Sequence, residues 1–120
     1  MSIEILITKN NFDHSKEIEK LKSKGTGAIV TFTGIVRDNF HKDELLDMTL
    51  EHYPGMTEKQ IKKILIKAKT KWNLNFAKVI HRIGKLTPEE NIVFVGVSSE
   101  HRNEAFKGAS YIMDYLKTNA

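Results

Sequence analysis

The segment Ser98-Ser99-Glu100-His101-Arg102 follows an apolar run and opens a helical pattern. A strand-to-helix junction presents free backbone N–H groups and the positive end of the helix dipole, both suited to phosphate or carboxylate. An imidazole and a guanidinium placed there strengthen the case for an anion site. The competing reading is that Ser99 caps the helix, Arg102 pairs with a surface carboxylate and His101 takes no part. Arg37 ends a β-branched run and is either a rim charge or a ligand clamp. Lys117, in Tyr115-Leu116-Lys117-Thr118, has apolar neighbours. A lysine stripped of water there acts as base, nucleophile or phosphate contact, whereas a merely structural Lys117 complements the helix C-terminus. His52 and His81 fall on apolar strand faces and read as satisfied core or interface histidines. Glu51-His52-Tyr53 has no nucleophile beside it, and no spacing suits zinc or calcium.

Several elements must position these residues. Ile3 to Thr8 is β-prone, and Asp13 to Ser23 reads as a short helix with Gly25 as its C-cap. Gly27 to Arg37 is β-branched and aromatic, so a largely buried strand is expected, with a bulge or close approach at Gly34. Asp38 to Glu44, which includes Asn39 and His41, reads as an exposed loop. Leu46 to Tyr53 alternates as a half-buried strand does, and Pro54-Gly55 ends it. Thr57 with Gln60 forms a capping box, after which Ile61, Ile64, Leu65, Ala68 and Trp72 recur at helical spacing. The lysines of this helix read as a solvated face, because no aromatic residues interleave them to stack bases. Phe76 to Ile83 and Asn91 to Ser98 form an antiparallel pair joined through Gly84 and Thr87-Pro88. Its second member is apolar on both faces and should lie centrally. His101 to Lys117 is helical, with Ala105, Ala109, Ile112, Met113 and Leu116 as its buried stripe. The order of elements predicts an α+β domain, mainly antiparallel, with helices packed on one side.

Composition narrows the function. At 120 residues, 40% hydrophobic and 28% charged, the chain suits one globular domain, 1–120. Nineteen Lys and Arg against 15 Asp and Glu give a net charge of +4, a weak preference for anionic partners. Without cysteine there is no disulfide, thiolate metal site or cysteine nucleophile, so any sulfur chemistry needs a partner to bring the sulfur. No apolar run approaches the roughly 20 residues that cross a bilayer, and Met1 to Lys9 lacks signal-peptide features, so the expectation is cytoplasmic.

Three ordered blocks carry a resemblance: Gly27-Ala28-Ile29-Val30-Thr31-Phe32-Thr33-Gly34 with Val36-Arg37, Leu50-Glu51-His52-Tyr53-Pro54-Gly55-Met56, and Val79-Ile80-His81-Arg82-Ile83-Gly84. With Ile92 to Val97, His101-Arg102 and Ile112 to Lys117, they resemble the large, catalytic subunit of molybdopterin synthase over roughly residues 25 to 118. The resemblance implies an α/β hammerhead-like fold and a sulfurtransferase that converts cyclic pyranopterin monophosphate into molybdopterin dithiolene. It implies sulfur delivery by the thiocarboxylated C-terminus of a small ubiquitin-like subunit, a homodimer carrying one such subunit on each chain as a heterotetramer, and no metal, cofactor, nucleic acid or membrane partner. By the same resemblance Ile35, Val36 and Arg37 contact substrate, as do His101 and Arg102, and Lys117 is the lysine on which activity depends, as base, acyl acceptor or phosphate contact. Family members continue with a Pro-aromatic-Trp-Lys segment that supplies a second functional lysine, whereas this sequence ends Lys117-Thr118-Asn119-Ala120. The expectation is therefore a domain without that segment, and the alternative is a non-catalytic relative that binds the small subunit or an anionic ligand. At about 1.5 Å per residue, His101 and Lys117 lie roughly 22 to 24 Å apart, too far for one small pterin. A shared site would then need Lys117 of one chain and His101 and Arg102 of another.

Overall fold

The computed structural model describes residues 2–37, 46–48 and 56–119. In chain order the elements are β1 (Ile3–Thr8), α1 (His14–Leu21), β2 (Ala28–Ile35), β3 (Leu46–Met48), α2 (Met56–Trp72), β4 (Leu74–Arg82), β5 (Gly84–Leu86), β6 (Asn91–Ser99) and α3 (Arg102–Asn119). The loop expected at 38–44, the histidine at 52 with its Glu51 and Tyr53 neighbours, and the side chain of Thr57 lie outside the described residues. Of the strand expected over Leu46 to Tyr53, β3 is the described part, and it pairs antiparallel with β5.

The main sheet has the order β1-β4-β6-β2. β4 pairs antiparallel with β6, and β6 with β2, as the mainly antiparallel expectation required; β1 joins β4 in parallel. β6 is central, and the reason is visible along it: Val93, Val95 and Val97 face one core while Phe94 faces another. The first core packs β4 and β6 against Ile61, Leu65 and Ala68 of α2 and Ala105, Ala109, Ile112 and Leu116 of α3. The second joins Leu21 of α1 to Ile80 and Phe94, with Phe12, Ile29 and Phe76 at its margin. The helices therefore cover both faces, which corrects the expectation of packing on one side. Strands apolar on alternate residues of both kinds expose an oily surface on each face, and α1 is the element left to cover the second.

The reading of Gly27 to Arg37 as a largely buried strand is also corrected. β2 is an edge strand, with Phe32 41% and Ile35 54% exposed. A β-branched run specifies extended backbone without specifying how many neighbours flank it. At Gly34 the expected irregularity is present: the register with β6 shifts between Gly34 and Ile35, and an added Cβ would stand 2.7 Å from Val93 Cγ1. α1 begins with Asp13 as N-cap, its carboxylate accepting from the N–H groups of Ser15 and Lys16 at 2.9 and 3.3 Å. It ends at Leu21, so Gly25 is not its C-cap. Gly25, with φ of +90°, instead occupies the turn closed by the Thr26 N–H on the Ser23 carbonyl.

Candidate functional site

Each candidate side chain takes its position from an element end. β2 delivers Ile35, Val36 and Arg37 to one end of the sheet. Ile35 and Arg37 are exposed, while Val36 is 2% exposed and anchors the segment. The Val36 N–H donates to the Glu90 carbonyl at 2.8 Å, and the Glu89 N–H donates to the Val36 carbonyl at 2.9 Å. Ile35, 54% exposed, stands two residues before Arg37 at the end of β2.

His101 and Arg102 stand at the opposite end, where β6 passes into α3, and both are exposed. The His101 N–H meets Ser99 Oγ at 3.4 Å, and the first helical bond runs from the Ala105 N–H to the His101 carbonyl at 3.2 Å. Ser99 thus supports the helix entrance while its hydroxyl also donates to the Asn73 carbonyl at 3.3 Å. Gly27 lies against this corner, donating its N–H to the Ser99 carbonyl at 2.9 Å. A Cβ on Gly27 would fall 2.2 Å from the Glu100 carbonyl oxygen, so the absence of a side chain lets the α3 entrance dock on β2.

Lys117 is exposed in the last turn of α3, so the apolar neighbours noted in the sequence do not enclose it within one chain. Leu116 turns into the core, and helical geometry carries the next side chain about 100° away from it. α3 returns over β6 and β2. Its 18 residues extend about 27 Å at 1.5 Å each. The nine residues of β6 cover a similar length, about 30 Å. Lys117 therefore lies at the far end of α3 from His101 and Arg102. Arg37 stands at the end of the sheet where Ile35 pairs with Asn91, and His101 and Arg102 stand at the other, past Ser99.

Charged side chains that the sequence reading passed over lie inside. Lys78 of β4 is 2% exposed and forms ion pairs with Glu4 of β1, at 2.5 Å, and with Glu17 of α1. Burial works against its charged form, but the two carboxylates outweigh it and hold its pKa above the ordinary lysine value. Arg82, two turns of pleat further along the same face, is 6% exposed. Its Nη1 donates to the Asn91 carbonyl at 3.0 Å and lies 3.4 Å from Glu90 Oε1, and its Nη2 donates to the Lys9 carbonyl at 3.2 Å. The available signal was the alternation itself: Phe76, Lys78, Ile80 and Arg82 share one strand face, so the two cations had to be buried with partners. His81 is buried, with Nδ1 donating to the Arg82 carbonyl at 2.8 Å, as a satisfied core histidine should be.

The lysine face of α2 is solvated, with Lys59, Lys62, Lys63 and Lys67 exposed. Between α2 and α3 a groove of about 440 Å³ is lined by Trp72, Phe106 and Tyr111 among others. Among the described residues no group of three or more His, Cys, Asp or Glu could hold a metal ion, and no helix is long and apolar enough to cross a membrane.

Comparison with known proteins gives a single answer. Residues 7–119 match the family described as MoaE protein, a span that includes every candidate residue above. The chain is 55% identical over 94 residues to the molybdopterin synthase catalytic subunit of Salmonella typhimurium, a match covering 78% of this chain and 63% of that protein. A match to the protein of the same name from Vibrio cholerae is 46% identical over 121 residues and covers 81% of that protein. Among solved structures, the molybdopterin cofactor biosynthesis protein E of Burkholderia multivorans superposes with a TM-score of 0.88 at 39% identity, covering 97% of this chain and 81% of that one. The chain thus spans less than two thirds of the Salmonella relative's length, yet the family match runs through all three layers of the fold and both ends of the sheet. On these grounds the chain belongs to the MoaE protein family.

Proposed function

We propose that this chain is the catalytic subunit of a molybdopterin synthase. It transfers sulfur from the thiocarboxylated C-terminus of a small ubiquitin-like subunit to cyclic pyranopterin monophosphate, giving the dithiolene of molybdopterin. The observation that carries the proposal is the family match from residue 7 to 119, which spans Ile35, Val36, Arg37, His101, Arg102 and Lys117 and reaches relatives named for this catalytic subunit. The absence of cysteine agrees with it, since the sulfur then has to arrive on a partner.

In this reading Arg37, His101 and Arg102 hold the cyclic phosphate and offset negative charge that develops as sulfur attacks. Lys117 serves the transfer step as base or as acceptor of a transient acyl bond from the partner's tail. The length of α3, which separates Lys117 from His101 and Arg102, supports a homodimer in which Lys117 of one chain meets His101 and Arg102 of the other, with one small subunit on each chain as a heterotetramer. The setting is cytoplasmic, and the domain works without metal or cofactor.

The test is reconstitution. The chain, alone or extended by a relative's C-terminal segment, is mixed with thiocarboxylated small subunit and cyclic pyranopterin monophosphate, and dithiolene product is measured. Product formation is expected. No product from either form refutes the proposal, and tail binding without turnover assigns a non-catalytic relative.

A further inference from the structure

We infer that Arg82, Glu90 and Thr87 act as positioning residues for Arg37, through a hydrogen-bonded brace that fixes the backbone at Val36. The inference rests on the reading of Arg37 as a substrate-holding residue and adds the groups that set where its side chain starts.

The brace begins inside the protein. The Arg82 guanidinium is buried at the end of β4 and ties three segments together: the Lys9 carbonyl after β1, the Asn91 carbonyl at the start of β6, and the Glu90 carboxylate. The other oxygen of that carboxylate closes the turn before β6. It accepts from the Thr87 N–H at 2.6 Å and from the Thr87 hydroxyl at 2.8 Å, while the Glu90 N–H returns to the Thr87 carbonyl at 3.2 Å. The two Thr87 donors, with Arg82 adding to them, hold the Glu90 carboxyl below the usual carboxylate range. The turn thus closed carries Glu89 at a φ of +74°, a backbone conformation that non-glycine residues seldom adopt without support.

What this turn holds is Val36. Past the register shift at Gly34, β2 has left the regular ladder, and Val36 is secured by the Glu90 carbonyl and the Glu89 N–H. Both of these belong to the braced turn. Val36 buries its side chain, so the next residue, Arg37, leaves the surface from a fixed origin. An arginine has a long flexible stem, and fixing its base reduces the freedom lost when its head engages a phosphate.

The experiment uses Glu90→Ala and Thr87→Val, both on an exposed or half-buried turn, with Arg82→Met as a third variant, each alone and combined with Arg37→Ala. Turnover of cyclic pyranopterin monophosphate is measured with the thiocarboxylated small subunit, alongside hydrogen exchange at the Val36 amide and a thermal melt. Glu90→Ala is expected to raise KM about tenfold with kcat changed less than about twofold, the pattern of lost ground-state positioning. The Val36 amide should exchange faster although the Glu90 carbonyl that accepts from it is retained. In the Arg37→Ala background the same change should leave KM within about twofold, because the residue it positions is gone. A full additional rise in that background, or a wild-type KM for Glu90→Ala, overturns the brace while leaving Arg37 in the site. A wild-type KM for Arg37→Ala overturns both the brace and the assignment of Arg37.

Discussion

Lys78 and Lys117 are the same residue type in opposite circumstances. Lys78 stands in the middle of β4, enclosed and paired with Glu4 and Glu17 from two other elements. Lys117 stands on the last turn of α3 in solvent. An enclosed cation whose partners are all internal has no capacity left for a ligand, so its contribution is to the docking of β1 and α1 on the sheet. An exposed cation contributes little to folding and keeps its donors available. The same contrast separates Arg82, committed to three internal acceptors, from Arg37 and Arg102 at the surface. In this protein burial distinguishes the architectural cations from those open to solvent.

The contrast is broken or sharpened by substitution. The largest effect is expected from Lys117→Ala, which should lower synthase turnover about a thousandfold. Its unfolding free energy should change by less than about 1 kcal/mol, the scale of a charge at a helix end. A large loss of stability would place Lys117 with Lys78.

Lys78→Ala should do the reverse, costing about 3 kcal/mol in urea denaturation because Glu17 is left buried without its main partner. Lys78 also has a pH signature. Its folded pKa is raised, so its stabilising contribution is fully present below the unfolded value of 10.5 and is lost as pH rises through the folded value. The stability gap between wild type and Lys78→Met should therefore be constant through neutral pH and shrink above pH 10.5. A gap that instead grows at high pH contradicts the assignment.

Gly27→Ala should cost about 2 kcal/mol, since its methyl meets backbone that cannot rotate away. It should also weaken substrate binding, by shifting the corner that carries His101 and Arg102. A melt equal to wild type would show that the contact relaxes freely.

The smallest effect tests the division into two ends. Lys117→Ala and Arg102→Ala chains, each inactive, should recover about a quarter of wild-type activity when mixed and allowed to exchange subunits. Half of the randomly formed dimers pair unlike chains, and each of those contains one intact shared site. No recovery would place Lys117 and Arg102 in the same site of one chain.

Much of the fold was legible because periodicity reports local backbone. α2, the β4–β6 pair and the central position of β6 follow from runs of Ile, Leu and Val whose spacing has one good burial solution. The irregularity at Gly34 was legible for a similar reason, a residue without Cβ where the ladder shifts. The edge position of β2 and the placement of α1 on the second face were not legible, because both depend on how many neighbours an element acquires. Lys78 was missed for a related reason. Alternation places it on the face of Phe76 and Ile80, but its partners Glu4 and Glu17, far apart in the chain, are identified only once the fold brings them together. The candidate residues Arg37, His101, Arg102 and Lys117 were legible as types at element ends. Of the two readings of Lys117, enclosure by its apolar neighbours is not realised within one chain, since a neighbour in sequence on a helix points to a different side.

The sequence by itself determined most of the elements, the two-faced apolar character of β6, and the membership suggested by its ordered blocks. Tertiary structure alone decided which residues share an end. Arg37 and His101 are held at opposite ends because β6 runs antiparallel to β2, with Ile35 pairing Asn91 and Ala28 pairing Ser99. His101 and Arg102 begin the same helix as Lys117 and are carried away from it by the helix's own rigid length. Sequence proximity is a property of covalent bonds about 3.8 Å apart per residue, whereas the ends of a sheet are set by the direction in which each element crosses it.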